Sequence, residues 1–333
     1  MRNLISISLA LIAATFACTA PAAAQNYPTR TITMIVPYPA GGPSDVVARI
    51  IADGMSRRLG QTIIIENVGG AGGTIGTARV AAAEPDGYTL LAASMGSQVA
   101  APSLYPNLRY DPVKDFAPIG LSAHAPAAIV ARKDFPAKNL REFIDYVKQH
   151  GDTIRQGHGG IGASSYMAAL LFTSQLGLKP QLIGYRGTGP ALNDLMSGQI
   201  DFFCEQVVSV ASAVKSGTIK AYAVSADQAL PALPGVPSAK DAGDPKWQMS
   251  IWSAVFAPKN TPQAIVAKLT QALDETLDDP KVRERLVGLG GRIPEKAERG
   301  PDQLATLLKA EIARWAPMLK QATATTTGAS TAH

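Results

Sequence analysis

The chain has 333 residues, of which 46% are hydrophobic and 17% are charged. This length and composition exclude a single small domain and a disordered chain, and they suit two folded α/β domains. The formal net charge is +5, but the basic residues are scattered in runs no longer than a pair such as Arg57-Arg58, so the sequence lacks the basic stripe of a nucleic-acid-binding protein.

The first 24 residues have the pattern of an export signal. A positively charged start, Met1-Arg2-Asn3, precedes an apolar run over residues 4–18, and Ala22-Ala23-Ala24 supplies small residues for cleavage. The apolar run is shorter than the ~20 residues of a membrane-spanning helix. Lipid attachment at Cys18 is disfavoured, because Thr15 stands where a Leu-like residue is needed. We therefore expect cleavage after Ala24 and a periplasmic mature protein.

Strands and helices alternate through the first part of the mature chain. Strands are predicted over residues 32–36, 62–66 and 88–92. A glycine- and proline-rich loop, residues 37–43, precedes a helix whose apolar side chains fall on one face, and a second glycine loop, residues 69–73, precedes a helix over residues 74–83. This alternation at short intervals predicts a parallel, doubly wound sheet.

The pattern resumes after a loop-rich stretch over residues 106–118. A strand is predicted at residues 127–131, and Asn139 begins a capping box for the next helix. Further strands are predicted at residues 181–185, 200–204 and 219–224. From Thr261 onward the pattern is helical, and the last residues, 323–333, are expected to be disordered. Two α/β lobes and a helical return are the predicted organisation.

Glycine loops offer anion-binding sites rather than a dinucleotide site. Residues 157–162 satisfy G-x-G-x-x-G, but the following strand, which ends near Arg186, carries no acidic residue for a ribose. A glycine loop at a helix N-terminus exposes backbone N–H groups and a partial positive charge, which together favour an anion. We therefore expect no nucleotide cofactor.

Patterns for catalysis and metal binding are weak. Ser212 and Lys215 match S-x-x-K, but the partner motifs of the penicillin-recognising enzymes are missing. The four histidines are not paired at ligand spacing, so no metal site is expected, and His158 alone is a site candidate. Asp45, at a predicted helix start, is interpreted as a cap, an organiser of the first loop, or a partner for a cationic ligand group.

Several motifs occur in the order found in one receptor family. They are residues 27–30, 35–45, 66–73, 85–91, 110–116, 189–192, 197–201 and 311–315. Over residues 27–321 the chain resembles the Bug receptors of tripartite tricarboxylate transporters. The resemblance implies a type II periplasmic-binding-protein fold, with two doubly wound lobes and a cleft between them. The lobes would comprise residues 26–125 plus 253–322, and residues 126–252.

The resemblance also implies the function and the binding residues. A monomeric receptor would capture a small organic carboxylate, without a cofactor, and pass it to the membrane subunits of a tripartite tricarboxylate-type transporter. By position, the ligand contacts would come from loops of both lobes: Tyr38, Ala40, Gly41, Gly42, Ser44, Asp45, Ser94, Ser97, His158, Gly159, Gly162, Ala163, Ser164, Ser165, Gly187, Thr188 and Cys204.

Two departures from the family pattern bear on the ligand. Where the family often has Asp-Asn after a strand, this chain has Cys204-Glu205; strand alternation lets one of the two face the cleft, and we favour Cys204. In the glycine loop over residues 157–162, Ile161 adds apolar surface and His158 could donate a hydrogen bond to a second carboxylate. Small residues in this loop, such as Gly159, would widen the cleft. An aromatic dicarboxylate such as terephthalate is the favoured ligand.

Other ligands and functions stay open. Asp45 and Glu205 could instead pair with the ammonium group of aspartate or glutamate. A secreted acyl hydrolase or isomerase would use Ser164 or Ser165, but no base lies at a recognisable spacing from either serine. A sensor subunit that presents a ligand to a membrane kinase would need the same closed lobes, so the sequence does not separate sensing from transport.

Overall fold

The computed structural model describes residues 26–330, with side chains as far as residue 322. The predicted export signal and its cleavage site after Ala24 lie outside the described residues. Within residues 26–330, none of the helices combines the length and the apolar character needed to cross a bilayer.

The first lobe starts as a parallel α/β unit. Its central strand is an almost continuous apolar run, as expected for a strand buried on both faces, and it lies between two parallel neighbours. In chain order, the elements of this unit are β1 (Ile32–Val36), α1 (Pro43–Leu59), β2 (Ile63–Asn67), α2 (Thr74–Ala81), β3 (Thr89–Ser94) and a short α3 (Ala101–Leu104).

The second lobe repeats this parallel arrangement. Its elements are α4 (Leu140–His150), β5 (Arg155–His158), α5 (Ser164–Leu176), β6 (Gln181–Gly184), α6 (Thr188–Met196), β7 (Phe202–Gln206), α7 (Val207–Lys215) and β8 (Ile219–Val224). Strand β5 lies between β6 and β7 and is parallel to both. Asn139 caps α4, since its side chain accepts a hydrogen bond from the N–H of Glu142, but the predicted capping box is incomplete because Glu142 accepts from the N–H of Lys138 and not from that of Asn139.

Two long strands join the lobes. Strand β4 (Phe116–Arg132) pairs antiparallel with β9 (Ser250–Pro258) over its first part, and with β7 and β8 over its last part. The change of partner falls between Pro126, which is opposite Ser250, and Ala127, which is opposite Gln206. The chain thus enters and leaves the second lobe side by side.

The C-terminal helices return to the first lobe, as the sequence predicts. They are α8 (Gln263–Asp278), α9 (Pro280–Gly288) and α10 (Pro301–Ser330). Helix α10 continues through most of the segment, residues 323–333, for which disorder was expected. The reason is local, because no glycine or proline interrupts the chain between Pro317 and Gly328.

Three apolar clusters hold these layers together. One cluster spans both lobes on the face covered by α10, and the other two each fill the opposite face of one lobe. Trp247, Trp252 and Trp315 are all buried in the shared cluster and are therefore core residues.

Candidate functional site

A narrow cleft lies between the lobes, where the loops after parallel strands meet. In open α/β sheets ligands bind at these carboxyl ends of the strands. The first lobe contributes the loop after β1, and the second lobe contributes the loops after β5, β6 and β7. The lining residues are Tyr38, Pro39, Ala40, Gly42, Pro43, Ser44, Gly159, Ala163, Ser164, Ser165, Gly187, Thr188, Gly189, Pro190, Glu205 and Gln206. The cavity volume is about 80 Å³.

Four helices start at the cleft without a side-chain cap. Their N-cap residues are Gly42 for α1, Ala163 for α5, Gly187 for α6 and Gln206 for α7. Helices α4 and α9 are capped by Asn139 and Asp279, whereas α2 and α8 also start without a side-chain cap, so the four cleft helices are distinguished by converging on one cavity. An uncapped first turn leaves N–H groups without a helical partner, and the helix dipole makes them attractive to an anion. The cleft therefore favours a negatively charged ligand.

The first-lobe loop is held from behind by Asp45. Its carboxylate accepts hydrogen bonds from the N–H of Gly41 at 2.9 Å and from the Asn67 side chain at 2.9 Å, and it pairs with Arg49 at 2.9 Å. Burial would raise the pKa of Asp45, but the hydrogen bonds from Arg49, Gly41 and Asn67 outweigh burial and lower that pKa. Asp45 and Gly41 lie outside the cleft lining, so their predicted ligand contacts are corrected to a role in shaping the loop.

Tyr38 forms the first-lobe side of the cleft and is supported by two serines. The Ser94 hydroxyl donates to the Tyr38 hydroxyl at 3.1 Å, and Ser97 is buried beside it. Burial raises the pKa of Tyr38, so the phenol is neutral at neutral pH. Ser94 and Ser97 were predicted to contact the ligand, but they lie outside the cleft lining, because their hydroxyl groups are engaged with the Tyr38 hydroxyl.

His158 faces away from the cleft. Its Nδ1 accepts a hydrogen bond from the N–H of Gly160 at 3.2 Å, and its ring packs against Tyr166 at 5.0 Å between centroids. Burial lowers the pKa of His158 and keeps the imidazole neutral. Since His158 does not line the cleft, this geometry does not support its predicted donation to a ligand carboxylate. The neighbouring Gly159 does line the cleft, where its N–H donates to the Ser165 hydroxyl at 3.0 Å.

Glu205, rather than Cys204, lines the cleft. Pairing with β4 places Cys204 opposite Ile129, and both side chains belong to the cluster shared by the lobes. Alternation along β7 then turns Glu205 to the other face and into the cleft. The preference for Cys204 is therefore wrong, because the register with a distant strand decides which face each side chain takes.

The Glu205 carboxyl group is almost fully buried, with 1% of the residue exposed. One oxygen accepts a hydrogen bond from the Thr188 hydroxyl at 2.7 Å, and the other accepts from the N–H of Gln206 at 2.7 Å. Burial raises the pKa of Glu205 to about 7, although these two hydrogen bonds lower it. The cleft thus contains a carboxyl group that titrates near neutral pH.

Glycines bring the two lobes into direct contact beside the cleft. A Cβ at Gly72 or Gly96 would collide with backbone oxygens of Ile161 and Gly162 across the gap. The Tyr105 hydroxyl donates to the Ile161 carbonyl at 2.8 Å. Gly162 therefore packs between the lobes instead of lining the cleft, which corrects its predicted ligand role. The Ile161 residue is 51% exposed and does not supply the predicted apolar wall.

Ten of the predicted site residues line the cleft: Tyr38, Ala40, Gly42, Ser44, Gly159, Ala163, Ser164, Ser165, Gly187 and Thr188. The predicted set omitted Pro39, Pro43, Gly189, Pro190, Glu205 and Gln206. Gln206 follows a predicted strand and starts a helix, and this position at the end of a strand could have identified it as a site residue. Within residues 26–330, no group of His, Cys, Asp and Glu is arranged to hold a metal ion.

The fold and the cleft define a two-lobed solute-binding protein. The chain belongs to the receptors of the tripartite tricarboxylate transporter family, since the profile described as "Tripartite tricarboxylate transporter family receptor" matches residues 47–323. The resemblance predicted from the motifs is confirmed. The family consists of transport receptors and not of enzymes, in agreement with the prediction.

Similar proteins of known structure have the same fold. MatC from Rhodopseudomonas palustris with bound malate is 44% identical, with a TM-score of 0.83 over 88% of this chain and 100% of that chain. The periplasmic binding protein BugD is 42% identical, with a TM-score of 0.84 over 89% and 98% of the two chains. These structures confirm the predicted two-lobed α/β fold.

A curated relative is similar over most of its length. It is the UPF0065 protein in the TAR-I ttuE-ttuC' intergenic region of Agrobacterium vitis, and it is 41% identical over 300 residues. The match covers 90% of this chain and 86% of the relative, so the likeness extends across both lobes.

Proposed function

We propose that this receptor captures a small aliphatic dicarboxylate outside the cytoplasm and delivers it to the membrane subunits of a tripartite transporter. The four uncapped helix starts around the cleft carry this proposal. Their N–H groups approach from both lobes, so each end of a diacid finds donors without an arginine or lysine clamp. Ser44 and Ser164 add hydroxyl groups to the lining.

The size of the cleft favours a short ligand. Its volume of about 80 Å³ is well below the roughly 300 Å³ at the lower end of drug-sized sites. The two residues on which an aromatic diacid would depend, His158 and Ile161, both lie outside the lining. A four-carbon diacid such as malate therefore fits better than terephthalate. The 44% identity to a protein with bound malate agrees with this choice.

Closure of the lobes around the ligand follows from the connections between them. The chain crosses twice, on β4 and β9, and the two crossings are paired side by side. Rotation about this pair would separate the lobes where Tyr105 contacts Ile161. We propose that the ligand holds the lobes closed and that a monomer, exported and cleaved after Ala24, carries it to the transporter.

The first test is a panel of candidate ligands on the wild-type protein. Malate and succinate should raise the melting temperature, because a ligand that binds only the folded state stabilises it by mass action. Aspartate and terephthalate should have smaller effects. Stabilisation by aspartate with none by any diacid would contradict the proposal.

The second test places a side chain at a helix start. At Gly42 a Cβ meets only the Pro39 carbonyl oxygen at 3.5 Å, so Gly42→Val should fold yet block the N–H groups of α1. Affinity for malate, measured by calorimetry, should fall at least roughly 100-fold, about 2.7 kcal/mol. Gly288→Val at the distant end of α9, where a Cβ contacts nothing within 4 Å, is the control. Full binding by Gly42→Val would exclude this cleft as the site.

A further inference from the structure

We propose that Glu205 binds the ligand as a neutral carboxylic acid, so that capture of a dicarboxylate dianion takes up one proton from solution. This inference rests on the proposed function and adds a specificity-determining residue to it.

The geometry around Glu205 gives the first argument. Each of its oxygens already accepts one hydrogen bond, from Thr188 or from the N–H of Gln206, and the group lies at the cleft surface of β7. An ionised carboxylate accepts hydrogen bonds and donates none. A ligand carboxylate is also an acceptor only, so the two groups attract each other only if a proton lies between them.

The surroundings of Glu205 give the second argument. Tyr38, from the loop after β1, is the other ionisable side chain that lines the cleft, and Cys204 on the same strand faces the core. Among the side chains that the structure describes, residues 26–322, no lysine, arginine or histidine lines the cleft. A dianion entering beside an ionised Glu205 would therefore meet a like charge without a basic side chain to offset it.

Protonation of Glu205 removes this repulsion at a small cost in free energy. Burial already brings the pKa of Glu205 to about 7. A second negative charge raises the pKa of a neighbouring carboxyl group further. The helix N-termini stabilise negative charge and oppose this shift, but the ligand carboxylates occupy those same N–H groups. The proton then joins Glu205 to the ligand, and Thr188 holds the carboxyl group in place.

A ligand with an ammonium group would behave differently. It would pair with ionised Glu205, hold that charge in place and lead to proton release or no exchange. The sign of proton exchange therefore separates a dicarboxylate from an amino acid.

The experiment is calorimetric titration of the purified protein with malate at pH 8, in two buffers that differ in ionisation enthalpy. The buffer dependence of the heat should correspond to uptake of close to one proton per ligand. At pH 6, where Glu205 is mostly protonated beforehand, uptake should be much smaller. Between pH 7 and pH 9 the affinity should fall by up to roughly tenfold per pH unit.

Substitution of Glu205 provides a second readout. Glu205→Gln keeps the size and carries an amide N–H, so its proton uptake should vanish and its affinity should become independent of pH. The exposed Glu84→Gln is the control and should keep the wild-type behaviour. Tight malate binding by the wild type at pH 8 without proton uptake would overturn this inference and leave the proposed function intact. Absence of malate binding at every pH would instead overturn the proposed function.

Discussion

The two walls of the cleft bind negative charge in different ways. The first-lobe wall has one helix start, α1, and a loop fixed from behind by Asp45. The second-lobe wall has three helix starts and a buried ionisable group, Glu205, among them. The first wall offers donors to any carboxylate, whereas the second carries the group that distinguishes one carboxylate ligand from another.

The walls also respond to pH in opposite directions. The pKa of Asp45 is lowered in the folded protein, so its contribution to stability is present above its unfolded pKa and is lost as pH falls through the folded value. The pKa of Glu205 is raised to about 7, so its contribution is present below the unfolded pKa and is lost as pH rises to about 7. Each wall can therefore be weakened separately.

The largest expected effect concerns the second wall and is a change in unfolding free energy with pH. Raising the pKa of Glu205 from 4.5 to about 7 corresponds to roughly 3 kcal/mol of unfolding free energy that the ligand-free protein loses between these pH values. Glu205→Gln does not titrate, so its stability should fall by that much less over the same interval. Urea unfolding at pH 4.5, 6 and 8 measures the difference. Parallel stability curves for the two proteins would show that Glu205 is not held neutral by burial.

The next largest effect should be a loss of stability when Asp45 in the first wall is replaced. Asp45→Ala leaves the Gly41 N–H and the Asn67 amide without their partner, which costs roughly 1–3 kcal/mol of unfolding free energy at pH 7. The loss should shrink in acid, because the wild-type Asp45 itself is then protonated. Affinity for malate should also fall, since the loop after β1 is no longer fixed.

A matched control lies on the same helix. Asp53 also pairs with an arginine four residues later, Arg57, but both side chains are about half exposed. Asp53→Ala should therefore cost at most about 0.5 kcal/mol and leave affinity unchanged. Equal effects of Asp45→Ala and Asp53→Ala would remove the special role of Asp45 in shaping the first wall.

Local patterns predicted the walls better than the strands that join the lobes. The glycine loops and helix starts depend on neighbours in sequence and follow from local pattern, whereas the ten lining residues were implied by the resemblance to the receptor family. Strand β9 was missed, because it is buried on both faces between β3 and β4 and so lacks period-two alternation. The start of β4, residues 116–118, was predicted as loop and residues 119–126 were not predicted as strand, because Pro118 and Gly120 interrupt the strand where the register with β9 shifts.

The choice between Cys204 and Glu205 shows what local sequence pattern cannot predict. Alternation predicted that the two side chains point in opposite directions, and they do. Which of them faces the cleft depends on pairing with β4, more than 70 residues earlier in the chain, where Ile129 is opposite Cys204 and Ala128 is opposite Glu205. His158 is a similar case, since its orientation follows from packing against Tyr166.

The smallest expected effect is that of Tyr105→Phe on affinity, and it tests whether the two walls contact each other only in the closed protein. Tyr105→Phe removes the hydrogen bond from the first lobe to the Ile161 carbonyl of the second. If the ligand-free protein opens at this side, its melting temperature should be unchanged, while affinity for malate falls by roughly 0.5–1.5 kcal/mol, about two- to tenfold. Tyr185→Phe is the control, because that hydroxyl donates to Asp194 at 2.7 Å within the second lobe. Its loss should lower the melting temperature with and without malate alike. A lower melting temperature of ligand-free Tyr105→Phe with unchanged affinity would mean that the lobes are already in contact before the ligand binds, and the two walls would then act as one rigid site.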